Sequence, residues 1–167
     1  MSRTSYFWGV AGACILACTT LSAATAQQAM PPTSTQAVLA RQDVMVSLET
    51  LLQAVEISAG DEAARSVNLS RTGAISAMLG TVPFLFPQAS SPDALGAEAD
   101  APVTSADPAI WDNLEAFVSL NASASQVARD AAQAETVAAL QNHTTALRAA
   151  CTACHEQYLT YVSPFSF

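Results

Sequence analysis

Six side chains near the start of the chain, Val38, Arg41, Met45, Leu48, Leu52 and Val55, are separated by steps of 3, 4, 3, 4 and 3 residues. That rhythm keeps one stripe of a helix turned toward a neighbour for about five turns. A strand, with its period of two, would scatter the same residues over both faces. A helix with one apolar stripe has to bury it, so the segment from Ser34 to Ala59 requires partner helices. Gly60 reads as its stop. Arg41 is the exception on the stripe, and a charge on an apolar seam needs a partner of its own.

The partners are found downstream. Asp61-Glu62 open a second helical stretch with acid at the end where the helix dipole favours it. Val67, Ala74, Ile75, Met78 and Val82 can share a broad face there, and Pro83 to Pro87 end it. Phe84 to Asp107 is rich in Pro, Ala, Ser and Asp, has no clear period and reads as a long connection. Asp107 as cap and Pro108 at the first position then start a third helix. Ile110, Trp111, Leu114, Phe117, Val118 and Asn121 follow helical spacing within it. A fourth helix is expected from about Gln133 to Val162, with Val137, Leu140, Thr144, Leu147, Cys151, Cys154 and Tyr158 as its seam. No segment alternates like a strand. The expectation is an all-α chain folded as an antiparallel four-helix bundle over residues 36–167.

Residues 1–26 read differently. Arg3 is followed by an uncharged apolar run from Tyr6 to Leu21, and Ala24-Thr25-Ala26 is a small-x-small cleavage site. The expectation is an export signal, with residues 27–35, containing Pro31-Pro32, as a short linker. Ile15-Leu16-Ala17-Cys18 offers an alternative, a lipoprotein signal ending before Cys18, which would tether the protein to a membrane by lipid. Either cleavage removes Cys14 as a structural residue and leaves the domain in an oxidising compartment, the periplasm. The whole chain carries 6 basic and 14 acidic residues, net −8, and every basic residue is arginine. Losing Arg3 with the leader would set five arginines against fourteen carboxylates, net −9. Such a surface lacks the clustered positive charge that nucleic acid requires. It suits a partner with a basic docking face.

Cys151-Thr152-Ala153-Cys154-His155 is the sequence that carries chemistry. C-x-x-C-H is the attachment signal for c-type haem. Two thiols on adjacent faces of one helical turn can add to the two vinyl groups of a single haem. His155 can then present a neutral imidazole to the iron. Competing readings are weaker. A thioredoxin-type C-x-x-C opens a helix, where the dipole lowers a thiol pKa, whereas this one lies near a helix C-terminus. A zinc site needs ligands that the mature chain does not supply in pairs. A disulfide across two residues of a helix is geometrically poor. His143, twelve residues earlier, is about 18 Å away and rotated by about 120°, so it cannot ligate the opposite side of the same haem.

With this motif on the last helix of a bundle, the chain resembles the class II c-type cytochromes, the cytochrome c prime family. Arg41-Gln42-Asp43-Val44-Met45 resembles the first-helix arginine with the distal-side residue four positions on. Phe86-Pro87-Gln88-Ala89-Ser90 resembles the Phe-Pro turn after the second helix, and Pro108 through Phe117 resembles the start of the third. The resemblance implies a left-handed bundle holding one covalent haem c near the C-terminal helix. It also implies an Arg41 that meets a haem propionate, a Met45 that faces the distal side of the iron, and Trp111 packed near the haem. Tyr158, one turn after His155, is expected there too. Trp111 and Tyr158 serve equally well as core filling. Two departures from the family pattern stand out: Thr152 and Leu159 occupy places that often hold a basic residue. Arg148, one turn before Cys151, either compensates or points to solvent.

The family contains members with a methionine sixth ligand that transfer electrons, and five-coordinate members that bind nitric oxide or carbon monoxide. The first expectation is therefore an exported monohaem cytochrome for single-electron transfer, with His155 proximal and Met45 as candidate distal ligand. The second is a five-coordinate gas binder in which Met45 stands near the iron without binding it. With no nucleophile–base arrangement in the sequence, an enzyme is not expected. Relatives that dimerise through their first two helices leave a homodimer open.

Overall fold

The computed structural model of the chain describes residues 33–96 and 103–160. The expected leader with Cys14 and Cys18, most of the expected linker, and Val162 lie outside the described residues.

Helix α1 (Ser34–Ser58) is started by a reciprocal cap. Thr33 Oγ1 accepts from the Gln36 backbone N–H at 3.2 Å, and the Gln36 side chain accepts from the Thr33 N–H at 2.9 Å. Its limits match the expected segment from Ser34 to Ala59 to within one residue, its first two residues overlapping the stretch expected to be linker. The expected stripe is on the inner face: Val38, Arg41, Leu48, Leu52 and Val55 are buried and Met45 is half-buried. Gly60 lies beyond the helix end, but no glycine among the described residues has a positive φ. A Cβ on Gly60 would come within 2.9 Å of the Gln141 amide nitrogen, so the glycine marks a close approach to the last helix.

Helix α2 (Arg65–Thr81) follows a 3-10 turn (Glu62–Ala64) capped by Asp61. Its buried face differs from the one expected. Ile75 and Val82 are inside, but Val67 and Ala74 are exposed. The buried row is Asn68, Thr72, Ile75, Ser76 and Leu79, in which three small or polar side chains accompany two large apolar ones. Polar atoms are tolerated there because each finds a partner. Ser76 Oγ donates to the Ser125 carbonyl at 3.0 Å, and Ser125 Oγ returns a bond to the Ser76 carbonyl at 3.0 Å. Asn121 Nδ2 donates to the Leu79 carbonyl at 2.8 Å.

The described part of the long connection, up to Gly96, carries more regular structure than its composition suggests. It holds 3-10 turns at Val82–Leu85 and Gln88–Ser90 and a single turn, α3 (Pro92–Leu95), capped by Ser91. Phe86, Ser90, Ser91 and Leu95 are buried. Asp107 does cap the next helix, accepting from the Ala109 N–H at 2.9 Å. That helix, α4 (Ala109–Asp112), stops after one turn. Asn113, at φ −142° and ψ 68°, breaks the expected third helix, and its side chain caps α5 (Leu114–Ala132) by accepting from Ala116 N–H. The break resets the helical register, which is why Leu114 and Val118 face outward rather than sharing a face with Ile110. The last helix, α6 (Val137–Tyr158), is shorter at both ends than expected. Thr136 caps it after a turn at residues 133–136. At the other end Leu159 is extended and forms an isolated antiparallel bridge with Ala106. Asp107 N–H donates to the Tyr158 carbonyl and Thr160 N–H to the Ser105 carbonyl, each at 2.9 Å.

The four long helices close a ring in which α1 packs on α2, α2 on α5, α5 on α6, and α6 back on α1, the last being the thinnest seam. This is an antiparallel four-helix bundle. The small residues Ser76, Ser125 and Ala128 let α2 and α5 approach closely along the broadest seam. At one end of the bundle the core is narrow, built on Val55, Ala59, Ala131, Ala134 and Leu140. The larger cluster holds the aromatic side chains, Leu48, Leu52 and Ile110, with Met45, Cys151 and Cys154 packed against it.

Candidate functional site

Two links fix how α1 and α6 lie together. Gly60 approaches Gln141, and Arg148 reaches both Glu49 and Glu56. The residue numbers of these pairs add to nearly the same total, as antiparallel helices require, and the register they define sets Met45 level with His155 across the seam. The expected distal and proximal positions therefore come from facing levels of two helices.

Cys151 and Cys154 are both unpaired thiols, half-buried on α6. Burial pushes the Cys151 thiol up and the Cys154 thiol up to about 11. A redox dithiol needs the opposite shift, so the surroundings of these thiols do not suit that chemistry. His155 lies at the surface, with enough protein around its ring for desolvation to hold its imidazole below the ordinary value; Glu49 opposes that shift. A neutral imidazole is the ligand form. The donor set thus fits a c-type haem: two protonated, unbridged thiols three residues apart on one helix, an adjacent neutral histidine, and an apolar cluster beside them.

Arg41 is buried, at 4% exposure. Its Nη1 donates to Ser90 Oγ at 3.1 Å, and its Nη2 to the Ser90 carbonyl at 3.3 Å and to Thr104 Oγ1 at 2.7 Å. Desolvation lowers its pKa to about 10. The guanidinium lies over the rings of Phe86 (4.9 Å) and Trp111 (5.5 Å), whose negative faces stabilise it. These hydrogen bonds use three of its five N–H donors. Trp111 is half-buried, and its Nε1 donates to the Pro87 carbonyl at 3.2 Å. Tyr158 is buried, edge-on to Phe117 at 5.3 Å, and Phe117 meets Phe86 at 4.8 Å. Trp111, Phe86, Phe117 and Tyr158 form one aromatic row in the cluster that also carries both thiols and Met45.

Several residues of this region were not expected from sequence. Ser90 and Thr104 hold Arg41, and Phe86 and Phe117 complete the aromatic row. Glu49 and Glu56 engage Arg148 in four hydrogen bonds of 2.7 to 3.1 Å. Arg148 neither compensates freely nor points to solvent, since both carboxylates claim it. A signal for the last group existed. Glu49 and Glu56 are seven residues apart and so share a face of α1 beside its seam. His143, the other histidine, is half-buried on α6.

The family model for cytochrome c' matches residues 36–159. The chain belongs to the cytochrome c' family, whose members carry one covalently bound haem c. Among solved structures, cytochrome c' from Rubrivivax gelatinosus is similar at 17% identity and TM-score 0.62, covering 76% of this chain and 97% of that one. Cytochrome c' from Thermochromatium tepidum matches at 18% identity and TM-score 0.58, over 78% and 99%. A third cytochrome c', described as having an unusual ligand-controlled dimer dissociation, matches at 16% identity and TM-score 0.64, over 77% and 98%. No curated protein sequence matches the chain. Among the described residues, no helix is long and apolar enough to cross a membrane.

Proposed function

We propose that this chain is an exported, periplasmic monohaem cytochrome that carries single electrons. Cys151 and Cys154 hold the haem covalently, His155 is the proximal ligand and Met45 the distal one. The observation that carries this reading is the register of α1 on α6. It sets a half-buried methionine level with the histidine of the C-x-x-C-H sequence, beside two free thiols. The haem supplies a one-electron ferric/ferrous couple. The chain's own residues would attach it and exclude water with the cluster that holds Leu48 and Phe117, while Arg41 braces the connection between α2 and α4. His/Met ligation raises the potential and suits electron transfer. We read the protein as a carrier rather than an enzyme, meeting a redox partner with a basic face.

The optical spectrum of the purified holoprotein tests this. Low-spin bands with an Fe–S charge-transfer feature are expected, and Met45→Ala should turn the spectrum high-spin. A spectrum unchanged by Met45→Ala removes Met45 as ligand. The double variant Cys151→Ala/Cys154→Ala should carry no covalent haem on a denaturing gel, and retained haem stain would reject the attachment site.

The second reading is a five-coordinate binder of nitric oxide or carbon monoxide. It is favoured by the likeness to the cytochrome c' with ligand-controlled dimer dissociation. Leu39 and Val46 on α1 and Val67 on α2 are exposed apolar side chains that a homodimer would cover. High-spin bands and ready uptake of carbon monoxide by the reduced protein select this reading.

A further inference from the structure

We propose that the Glu49–Arg148–Glu56 bridge tunes the haem iron, lowering its reduction potential through the single negative charge it leaves beside α6. The proposal rests on haem attachment at Cys151 and Cys154 and holds for either sixth-ligand reading.

Three observations carry it. The first is composition. One guanidinium is held between two carboxylates, by Glu49 at 2.7 and 3.1 Å and by Glu56 at 2.8 and 2.8 Å, so the group as a whole is an anion. The second is position. Arg148 and His155 are seven residues apart on one helix, about 10.5 Å along the axis and within about 20° of the same face. Glu49 is one turn from Met45 on α1. The bridge thus lies about two turns from the imidazole and one from the distal position. The third is surroundings. Thr152 and Leu159 contribute no positive charge, and Arg148, the cation nearest the motif on its own helix, is already outnumbered. The bridge borders an open groove of about 510 Å³ lined by Glu49, Gln53, Glu56, Ile57 and Arg148, so it is partly solvated. Partial solvation weakens its field without abolishing it. An anion at that range favours ferric over ferrous iron.

A bridge that merely braced α1 against α6 would look the same in a static structure. The two roles separate by sign. Arg148→Met leaves two carboxylates, so the ferric form gains and the potential should fall. Glu49→Gln and Glu56→Gln each leave a neutral pair, so the potential should rise. In each case the ferric-to-ferrous ratio at fixed applied potential should change about threefold, or about 30 mV at 59 mV per tenfold for one electron. A brace is broken by all three changes alike. Spectroelectrochemical titration of the haem-loaded variants reads the difference. Opposite signs support the proposal; shifts of one sign, or none, overturn it. Arg148→Lys keeps the charge and loses the two-sided fork. It should leave the potential unmoved while lowering the thermal midpoint, and a shift as large as that of Arg148→Met would overturn the proposal. Should Arg148→Met fail to load haem, the two glutamine variants and Arg148→Lys decide alone. Haem stain on a denaturing gel of each sample keeps the outcomes apart. Missing stain in wild type strikes the attachment reading, whereas stained variants with unmoved potentials strike this one.

Discussion

Arg41 shows how a charge is kept on an apolar seam. Two hydroxyls, a carbonyl and two aromatic faces replace the water it has lost. Because it reaches Ser90 and Thr104 at once, it ties both ends of the connection between α2 and α4 to α1. A lysine ammonium cannot span both with a planar fork. Arg41→Lys is therefore expected to lose about 1–3 kcal/mol of stability in urea unfolding of the holoprotein, much as Arg41→Leu would. Stability equal to wild type in Arg41→Lys would remove the bracing role. The anomaly of Arg41 was visible in the sequence as one arginine on a heptad stripe. Its partners were not, because they lie 49 and 63 residues downstream in a stretch without periodicity. Arg148 was less visible still. Nothing local distinguishes an arginine facing solvent from one gripped by carboxylates 92 and 99 residues earlier.

At the scale of elements, helix existence and the limits of α1 were readable, whereas the limits of the later helices were not. α1 and the seam of α6 repeat large apolar side chains at helical spacing, and that pattern survives folding. α2 defeated it, because its inner face uses Ser, Thr and Asn at a close helix–helix approach, where polar atoms bond to the backbone opposite. Asn113 was missed since an asparagine inside a helical run looks the same whether it continues the helix or caps a new one. Two substitutions on α2 test this account. A Cβ on Gly80 would meet nothing within 4 Å, so Gly80→Ala should raise stability by about 0.5–1 kcal/mol through helix propensity. Ser76→Leu, one turn earlier on the same helix and buried where Gly80 is exposed, should lower it by about 1–3 kcal/mol by overpacking the seam with Ser125 and losing the reciprocal bonds. Thermal melts of both variants provide the check. A destabilised Gly80→Ala or a neutral Ser76→Leu would show that α2 is packed differently.

For the whole molecule, four periodic segments implied the bundle, and the pairs that join α1 to α6 run antiparallel. The relative register of helices could not be read, since it is set by long-range pairs such as Gly60 with Gln141. The acid excess is likewise a property of the whole surface. Net −8, with all six cations arginine, gives a long-range field that would favour the basic-faced partner proposed above. Electron exchange with such a partner should slow about tenfold as ionic strength rises from roughly 10 mM to 0.2 M. Stopped-flow rates measure this, and a rate independent of salt would mean that docking is not steered by charge.

The fastenings of α6 have a mechanical consequence. Thr136 caps its start, and the hydrogen bonds from Asp107 to Tyr158 and from Thr160 to Ser105 pin the strand-like residues after its end. With both ends tied, unravelling a turn of α6 to follow a displacement of His155 would have to break these bonds, and the contacts in the way of such a displacement are Arg148 on the side of α1 and residues 105–107 on the side of α4.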